Sequence, residues 1–72
     1  MTTKTLEYFL VVVKHLNISK AAKELFISQP ALSKQISQLE AELGVSLFDR
    51  TKHSLKLTYA GEVLLSETNE LF

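Results

Sequence analysis

The first sixteen residues place apolar side chains at helical spacing. This set extends over about three turns with charged residues between its members, and it consists of Leu6, Phe9, Leu10, Val13 and Leu16. The β-branched run at positions 11–13 favours a strand instead, but the longer helical pattern outweighs it. We therefore predict a helix with Thr3 as its N-cap, ending at residues 17–19.

A second, shorter helix is predicted over residues 20–26. Ser19 can cap it, and Ala21, Ala22 and Leu25 would face inward. The small alanines would let another helix approach closely.

The third helix has clear signals at both ends. After a tight turn, Ser28 can cap it, and Pro30 in its first turn needs no hydrogen-bond partner. Gly44 is placed to end it after Leu43 in the left-handed conformation.

The two faces of the third helix differ in chemistry. One narrow stripe is apolar and consists of Leu32, Ile36, Leu39 and Leu43. The opposite face of the N-terminal half carries Gln29, Pro30, Ser33, Lys34 and Ser37. Short side chains let a helix enter the major groove deeply, Gln and Lys can reach base edges, and Ser can hold phosphates. Two helices joined by a tight turn, the second with such a face, predict a helix-turn-helix; the alternative is the solvated polar face of a bundle helix.

The rest of the chain predicts a hairpin and a last helix. Residues 45–48 and 55–57 can pair around a polar stretch at 49–54, and Thr58 can cap a fourth helix that runs to the end. Its apolar residues either pack on the first helix or form a dimer seam; they are Val63, Leu64, Leu71 and Phe72.

Several conspicuous residues are expected to be structural. Phe9, Phe26 and Phe48 are predicted to lie in the core. Glu40 is expected to pair with a basic side chain from the hairpin or the first helix, and Gly61 to permit close packing against the hairpin.

Charge is distributed unevenly along a chain whose net charge is zero. Residues 14–56 hold seven Lys or Arg and four Asp or Glu, a net of +3, whereas residues 57–72 hold three Glu and no base, a net of −3. The basic middle favours an anionic partner, although scattered solvated charges explain it equally well.

Other classes of protein find little support. There is no cysteine for a disulfide or a metal site, which fits a reducing compartment. The longest apolar run has six residues, too short for a membrane helix, and we read no secretory leader at the start. Neither histidine belongs to a metal-ligand spacing, and no nucleophile motif occurs, so we expect neither an enzyme nor a bound cofactor.

The chain resembles the DNA-binding domain of the LysR-type transcriptional regulators. The resemblance rests on the pattern Ala21-Ala22-x-x-Leu25-x-x-Ser28-Gln29-Pro30-Ala31-Leu32-Ser33-x-Gln35-Ile36-x-x-Leu39-Glu40-x-x-Leu43-Gly44-x-x-Leu47-Phe48-x-Arg50. Leu57-Thr58-x-Ala60-Gly61 and Leu6-x-x-Phe9-x-x-Val12 also fit. The match covers essentially the whole chain in order.

The resemblance implies a mainly α winged helix-turn-helix, with residues 1–58 as the DNA-binding domain and 59–72 as the start of a linker and dimerisation helix. Helix 29–43 would lie in the major groove and wing 49–55 at the minor groove of double-stranded DNA. Carried over by position, Gln29, Pro30, Ser33 and Lys34 read bases; Ser19, Lys20, Ser28, Ser37 and Arg50 contact phosphate or the rim; Lys52 and His53 form the wing tip; Val63, Leu64, Leu71 and Phe72 form the homodimer. For Arg50, pairing with a helix carboxylate is an equal alternative.

Two positions depart from the family pattern. Lys34 stands where Arg is usual and lacks its planar fork, which weakens the case for bidentate guanine recognition. His53 stands where Arg is common, so wing binding would depend on pH.

The family also implies a setting for the domain. Its members are cytoplasmic and continue for roughly another 200 residues as an effector-binding domain, which is absent from this chain, so we expect a piece of a longer protein. The alternative function is a small helical protein-interaction module that does not bind DNA.

Overall fold

Four helices and one small antiparallel sheet make up the fold. The computed structural model describes residues 1–51 and 54–71, with side chains through Asn69. The elements are α1 (Thr3–His15), α2 (Ile18–Leu25), α3 (Gln29–Leu43), β1 (Phe48–Arg50), β2 (Leu55–Leu57) and α4 (Tyr59–Leu71). The predicted mainly α fold, including the helix-turn-helix and the hairpin, is confirmed.

The first two helices begin earlier than the sequence suggested. The side chain of Thr2, and not that of Thr3, caps α1 by accepting from the Thr5 N–H at 3.2 Å. Asn17, and not Ser19, caps α2: its Oδ1 accepts from the Lys20 N–H at 2.9 Å. Ser19 therefore lies inside the first turn of α2, where its hydroxyl is not used for capping.

The bounds of α3 match the prediction at both ends. Ser28 has extended backbone angles, and its Oγ accepts from the Ala31 N–H at 3.2 Å. Gly44 has φ +72° and donates its N–H to the Glu40 carbonyl at 2.8 Å. The cap at Ser28 and the left-handed Gly44 each act within one turn of the helix, so both can be recognised in the sequence.

The core lies where α1, α2 and α3 meet the residues that lead into the β1–β2 hairpin. Its buried members are Phe9, Val12, Ala21, Ala22, Leu32, Ile36, Leu39, Leu47 and Phe48. The rings of Phe9 and Phe48 are 5.5 Å apart between centroids, so the first helix contacts the wing directly. The two alanines have almost no side chain, which lets α2 pack closely on its neighbours.

Two residues expected in the core lie at the surface. Phe26 is 94% exposed, because it ends α2 in the left-handed conformation (φ +58°) and its ring is turned away from the core. Leu43, the last member of the predicted apolar stripe, is 38% exposed, because it ends α3 beyond the buried part of that helix.

Strand β1 starts three residues later than predicted. The Val45 N–H is bound to the Glu40 carbonyl, and the N–H groups of Leu47 and Phe48 are bound to Glu40 Oε2 at 2.6 and 3.3 Å. Residues 45–47 therefore complete the end of α3 instead of pairing in the sheet, which begins at Phe48. Glu40 is structural as expected, but its partners are backbone N–H groups and not a basic side chain.

The wing pairs in a simple antiparallel register. Phe48 lies opposite Leu57, Asp49 opposite Lys56 and Arg50 opposite Leu55. At the far end, the Thr51 N–H donates to the Ser54 carbonyl at 3.0 Å. We call β1, β2 and residues 51 and 54 the wing.

Helix α4 is fixed to the wing at its start. Thr58 Oγ1 accepts from the Gly61 N–H at 3.0 Å and donates to the Ser46 carbonyl at 2.6 Å, so Thr58 caps α4 as predicted. A Cβ on Gly61 would lie 2.3 Å from the Leu47 carbonyl oxygen and 2.7 Å from Leu57 Cδ1. The predicted close packing of Gly61 against the wing is therefore confirmed.

Further along, α4 turns one side to the core. Leu64 and Leu65 pack against the buried cluster, and Thr68 is fully buried with its hydroxyl bound to the Leu64 carbonyl at 2.7 Å. Val63 points outward and is 41% exposed. Of the predicted apolar residues of α4 whose side chains are described, Leu64 packs inward and Val63 does not.

Candidate nucleic-acid interface

The N-terminal half of α3 presents a mostly polar surface on the side away from the core. Gln29, Pro30, Lys34 and Ser37 are exposed and Ser33 is half-buried, whereas Leu32, Ile36 and Leu39 on the other side are buried. We call these five polar-side residues the reading face. Helix α3 is about 22 Å long at 1.5 Å per residue, and its diameter suits a major groove about 12 Å wide.

The first turns of α2 and α3 meet beside the reading face. The Nε2 of Gln29, the first residue of α3, donates to the Oγ of Ser19, the second residue of α2, at 3.2 Å. Both helices therefore direct their N-terminal ends to the same region. Free N–H groups and the positive end of the helix dipole make such ends favourable for phosphate.

A polar cleft joins these helix ends to the wing. Its polar lining consists of Asn17, Ser19, Gln29, Arg50, Thr51 and Ser54. Arg50 is exposed, and among the described residues it makes no ion pair with a carboxylate. Of the two alternatives for Arg50, its position beside Ser19 and Gln29 favours the phosphate contact.

Acidic side chains are kept away from this surface. Residues 16–23 and 28–39 contain no Asp or Glu. Glu40 binds the start of the wing, and Glu42 pairs with the amino group of Met1. Lys20 and Lys34 therefore lie on stretches of chain without a carboxylate, whereas Arg50 directly follows the exposed Asp49.

Glu24 lies at the other end of α2 and is held by α1. Its Oε1 accepts from Lys14 Nζ at 2.9 Å and lies 2.9 Å from His15 Nε2. The hydrogen bonds from Lys14 and His15 hold the pKa of the Glu24 carboxyl below its usual value. This cluster fastens α1 to α2 and leaves the helix-turn-helix surface free of its charge.

The remaining predicted contacts fall at the edges of this surface. Lys20 is exposed in the first turn of α2, and Ser28 uses its Oγ as the cap of α3 while its hydroxyl proton stays available. Lys52 and His53, the predicted wing contacts, lie outside the residues that the structure describes.

A second surface, between the end of α3 and the first turns of α4, is largely apolar. The groove is lined mainly by apolar side chains, with one carboxylate at Glu67, and we call it the apolar groove; its lining consists of Leu43, Val45, Leu47, Tyr59, Ala60, Val63, Leu64 and Glu67. Tyr59 is 82% exposed although it lies between apolar neighbours. Of the predicted dimerisation residues, Val63 and Leu64 line this groove; the side chain of Leu71 and all of Phe72 lie outside the described part of the chain.

Sequence reasoning missed several lining residues. Thr51 and Ser54 line the polar cleft, and their only signal was their place in the polar stretch between two strands. Tyr59 and Val45 belong to the apolar groove, but neither belongs to a periodic pattern. The described residues contain no group of three His, Cys, Asp or Glu side chains suited to a metal ion. Nor does any described helix have the length and apolar character needed to cross a membrane.

A helix-turn-helix whose second helix exposes a polar face, followed by an antiparallel wing, defines the class of winged helix-turn-helix DNA-binding domains. Residues 3–62 match the family model of the bacterial regulatory helix-turn-helix proteins of the lysR family. The chain belongs to this family.

Curated relatives and solved structures agree with this assignment. The HTH-type transcriptional regulator AlsR of Bacillus subtilis is 48% identical over 66 residues, which cover 92% of this chain and 22% of AlsR. BsdA of the same organism is 46% identical over 72 residues, covering 99% of this chain and 25% of BsdA. The chain thus spans about a quarter of the length of these relatives.

Two crystal structures illustrate the similarity in fold. A transcriptional regulator of the LysR family from Eggerthella lenta has a TM-score of 0.91 and 40% identity, covering 96% of this chain and 99% of that one. The CbnR_DBD–DNA complex has a TM-score of 0.91 and 38% identity, covering 99% of this chain and 82% of that one. The winged helix fold is therefore that of LysR-family DNA-binding domains.

Proposed function

We propose that this chain binds double-stranded DNA sequence-specifically, as the DNA-reading part of a LysR-family transcription regulator. The observation that carries the proposal is the carboxylate-free reading face, set beside two helix N-termini. In the proposal α3 (residues 29–43) enters the major groove and wing 49–55 follows the minor groove. Similarity to a domain solved in complex with DNA supports it.

The roles of individual residues follow from their places. Gln29, Pro30, Ser33 and Lys34 meet base edges, because they occupy the exposed side of the first turns of α3. A second set contacts phosphate or the rim and consists of Ser19, Lys20, Ser28, Ser37 and Arg50. Lys52 and His53 belong to the wing tip by their position in the sequence, and protonation of His53 would strengthen binding as the pH falls.

The proposal includes a homodimer on a roughly palindromic operator. The apolar groove supports this part, because its exposed apolar side chains would be removed from water by a second copy. The dimer set is Val63, Leu64, Leu71 and Phe72, on the helix that starts at residue 59. A twofold axis would then impose inverted half-sites.

The longer relatives suggest what surrounds this domain. We propose that residues 1–58 form the DNA-binding domain, that 59–72 begin the linker helix, and that a small effector acts through a region beyond this chain. Cytoplasmic location fits a regulator that must reach DNA. The relatives are transcriptional regulators, which supports a binding function and not catalysis.

The test is selection of bound duplexes from a random library. Wild type, Lys34→Ala and Lys23→Ala are compared, because Lys23 is an exposed lysine of α2 outside the proposed contact set. We expect wild type and Lys23→Ala to enrich the same inverted repeat, and Lys34→Ala to lose or relax one position of it. If Lys34→Ala enriches the identical sequence, α3 does not read bases as proposed.

Salt dependence separates this function from the alternative, a small helical protein-interaction module that uses its terminal helix and the Ser/Lys face of α3. Binding to DNA weakens with log[salt] at a slope of about −0.9 per phosphate contact, so about six contacts give a slope near −5. If the chain retains no duplex even at low salt, the protein-interaction function replaces the proposal.

A further inference from the structure

Ser19 makes a contact that its expected role as a phosphate ligand does not require. Among the described residues, its hydrogen bond with Gln29 is the only one that joins side chains of α2 and α3. It links a half-buried residue of one helix to an exposed residue of the other. This bond restricts the long side chain of Gln29 before any DNA is present.

The Ser19 end of the bond is held firmly. Asn17 caps α2 just before Ser19, and Ala21 and Ala22 just after it are buried in the core. Gln29 is less restrained, because only its backbone is fixed, by the capped start of α3. Its side chain has several rotatable bonds, so the contact with Ser19 decides which rotamer Gln29 adopts.

The chemistry that remains on Gln29 suits one kind of base. A glutamine amide has two N–H donors and one carbonyl acceptor. Ser19 Oγ takes one N–H and leaves the other together with the carbonyl, which is the donor and acceptor pair that matches adenine in the major groove. Ser19 keeps its own hydroxyl proton, which can still be donated to a phosphate oxygen.

We propose that Ser19 is a positioning residue for base recognition: by holding the Gln29 amide, it sets the preference for the base pair that Gln29 meets. This inference rests on the proposed function, since it assumes that α3 reads bases. It adds that one base preference depends on a residue of α2 that touches no base.

The experiment measures Kd for duplexes that carry each of the four base pairs at each position of the selected half-site. The proteins are wild type, Ser19→Ala, Ser19→Thr, Gln29→Ala and the Ser19→Ala/Gln29→Ala double variant. Lys20→Ala serves as a neighbouring phosphate contact, and Ser66→Ala as a matched serine on an exposed position of α4. Circular dichroism checks that every variant folds.

We expect Ser19→Ala to reduce the preference at one base pair by about fivefold, the value of one ordinary hydrogen bond. That base pair is the one at which Gln29→Ala also loses preference, and the double variant loses no more than Gln29→Ala alone. Ser19→Thr keeps a hydroxyl and should retain the preference. Lys20→Ala should weaken all duplexes by one common factor, and Ser66→Ala should match wild type.

Two results would overturn the inference alone. In the first, Ser19→Ala weakens all four base pairs equally, as a phosphate ligand would; in the second, its loss of preference adds in full to that of Gln29→Ala. A wild type that shows no base preference at any position would overturn the proposed function itself. Failure of the inference is therefore seen in the variants at Ser19, whereas failure of the proposed function is seen in the wild-type protein.

Discussion

Replacing Gly61 by Ala tests how tightly α4 is packed against the wing. The added Cβ would lie 2.3 Å from the Leu47 carbonyl oxygen, and 2.7 and 2.9 Å from two atoms of Leu57. Leu57 can shift its side chain, but the Leu47 carbonyl belongs to the backbone and accepts the Thr58 N–H at 2.9 Å. The start of α4 must therefore move away from the wing.

The size of the effect follows from three contributions. Overpacking costs about 1–3 kcal/mol, and weakening the Thr58 N–H bond to Leu47 adds about 1 kcal/mol. Ala is better than Gly inside a helix by about 0.5–1 kcal/mol, which offsets part of this. We expect Gly61→Ala to lower the free energy of unfolding by about 2 kcal/mol, and Tm by about 8–16 °C for a domain of this size.

Gly44→Ala is the matched control, measured by thermal unfolding with circular dichroism. A Cβ at Gly44 meets no atom within 4 Å, but its φ of +72° is unfavourable for alanine, so we expect a smaller loss of about 1 kcal/mol. The reasoning is refuted if Gly61→Ala is as stable as wild type or more so, as helix propensity alone would predict. A larger loss for Gly44→Ala than for Gly61→Ala would refute it as well.

Three further predictions concern the cap of α2, the Glu24 cluster and the apolar groove. Asn17→Ala should cost about 1 kcal/mol of unfolding free energy in urea titrations, because the cap of α2 is lost; an unchanged midpoint would contradict this. Because the pKa of Glu24 is lowered, its contribution to stability is present above the usual value of 4.5 and is lost as the pH falls through the lowered pKa. The Tm difference between wild type and Glu24→Gln should therefore be present at neutral pH and disappear in acid; an equal difference at both pH values would exclude the mechanism. Val63→Glu should leave the fold intact and abolish the dimer in sedimentation experiments, because it replaces an exposed apolar side chain of the groove with a second carboxylate beside that of Glu67; a dimer that persists would place the interface elsewhere.

Local signals predicted α3 well, whereas a contact beyond a single helical turn explains the error in β1, and a choice between two neighbouring caps explains the error in α2. Ser28 and Gly44 act within their own turns, so the bounds of α3 could be derived from the sequence. Strand β1 could not, because the N–H groups of Leu47 and Phe48 are bound by Glu40, seven and eight residues earlier. The predicted start of α2 was wrong because Asn17 and Ser19 are both residue types that cap helices, and the sequence does not show that Asn17 is the one with the extended backbone of a cap.

The candidate site also has one part that could be predicted from the sequence and one part that could not. The reading face could be predicted, because its residues lie on one helix opposite a recognisable apolar stripe. The polar cleft could not, since it depends on how the wing brings Arg50 beside Ser19 and Gln29. Phe26 shows that the apolar character of a residue does not by itself predict burial. It ends α2 in the left-handed backbone conformation, and its ring is exposed. The binding roles themselves stay predictions.

The contact of Glu40 with the start of the wing has a consequence for the shape of the target. Its carboxylate joins α3 to the backbone of Leu47 and Phe48, so the angle between reading helix and wing is fixed within the protein. If the angle between α3 and the wing does not change on binding, the DNA duplex of the proposed operator must bend to contact both. Sequences whose minor groove already has the width and position that the wing requires need less deformation, and they are favoured even at base pairs that no side chain touches.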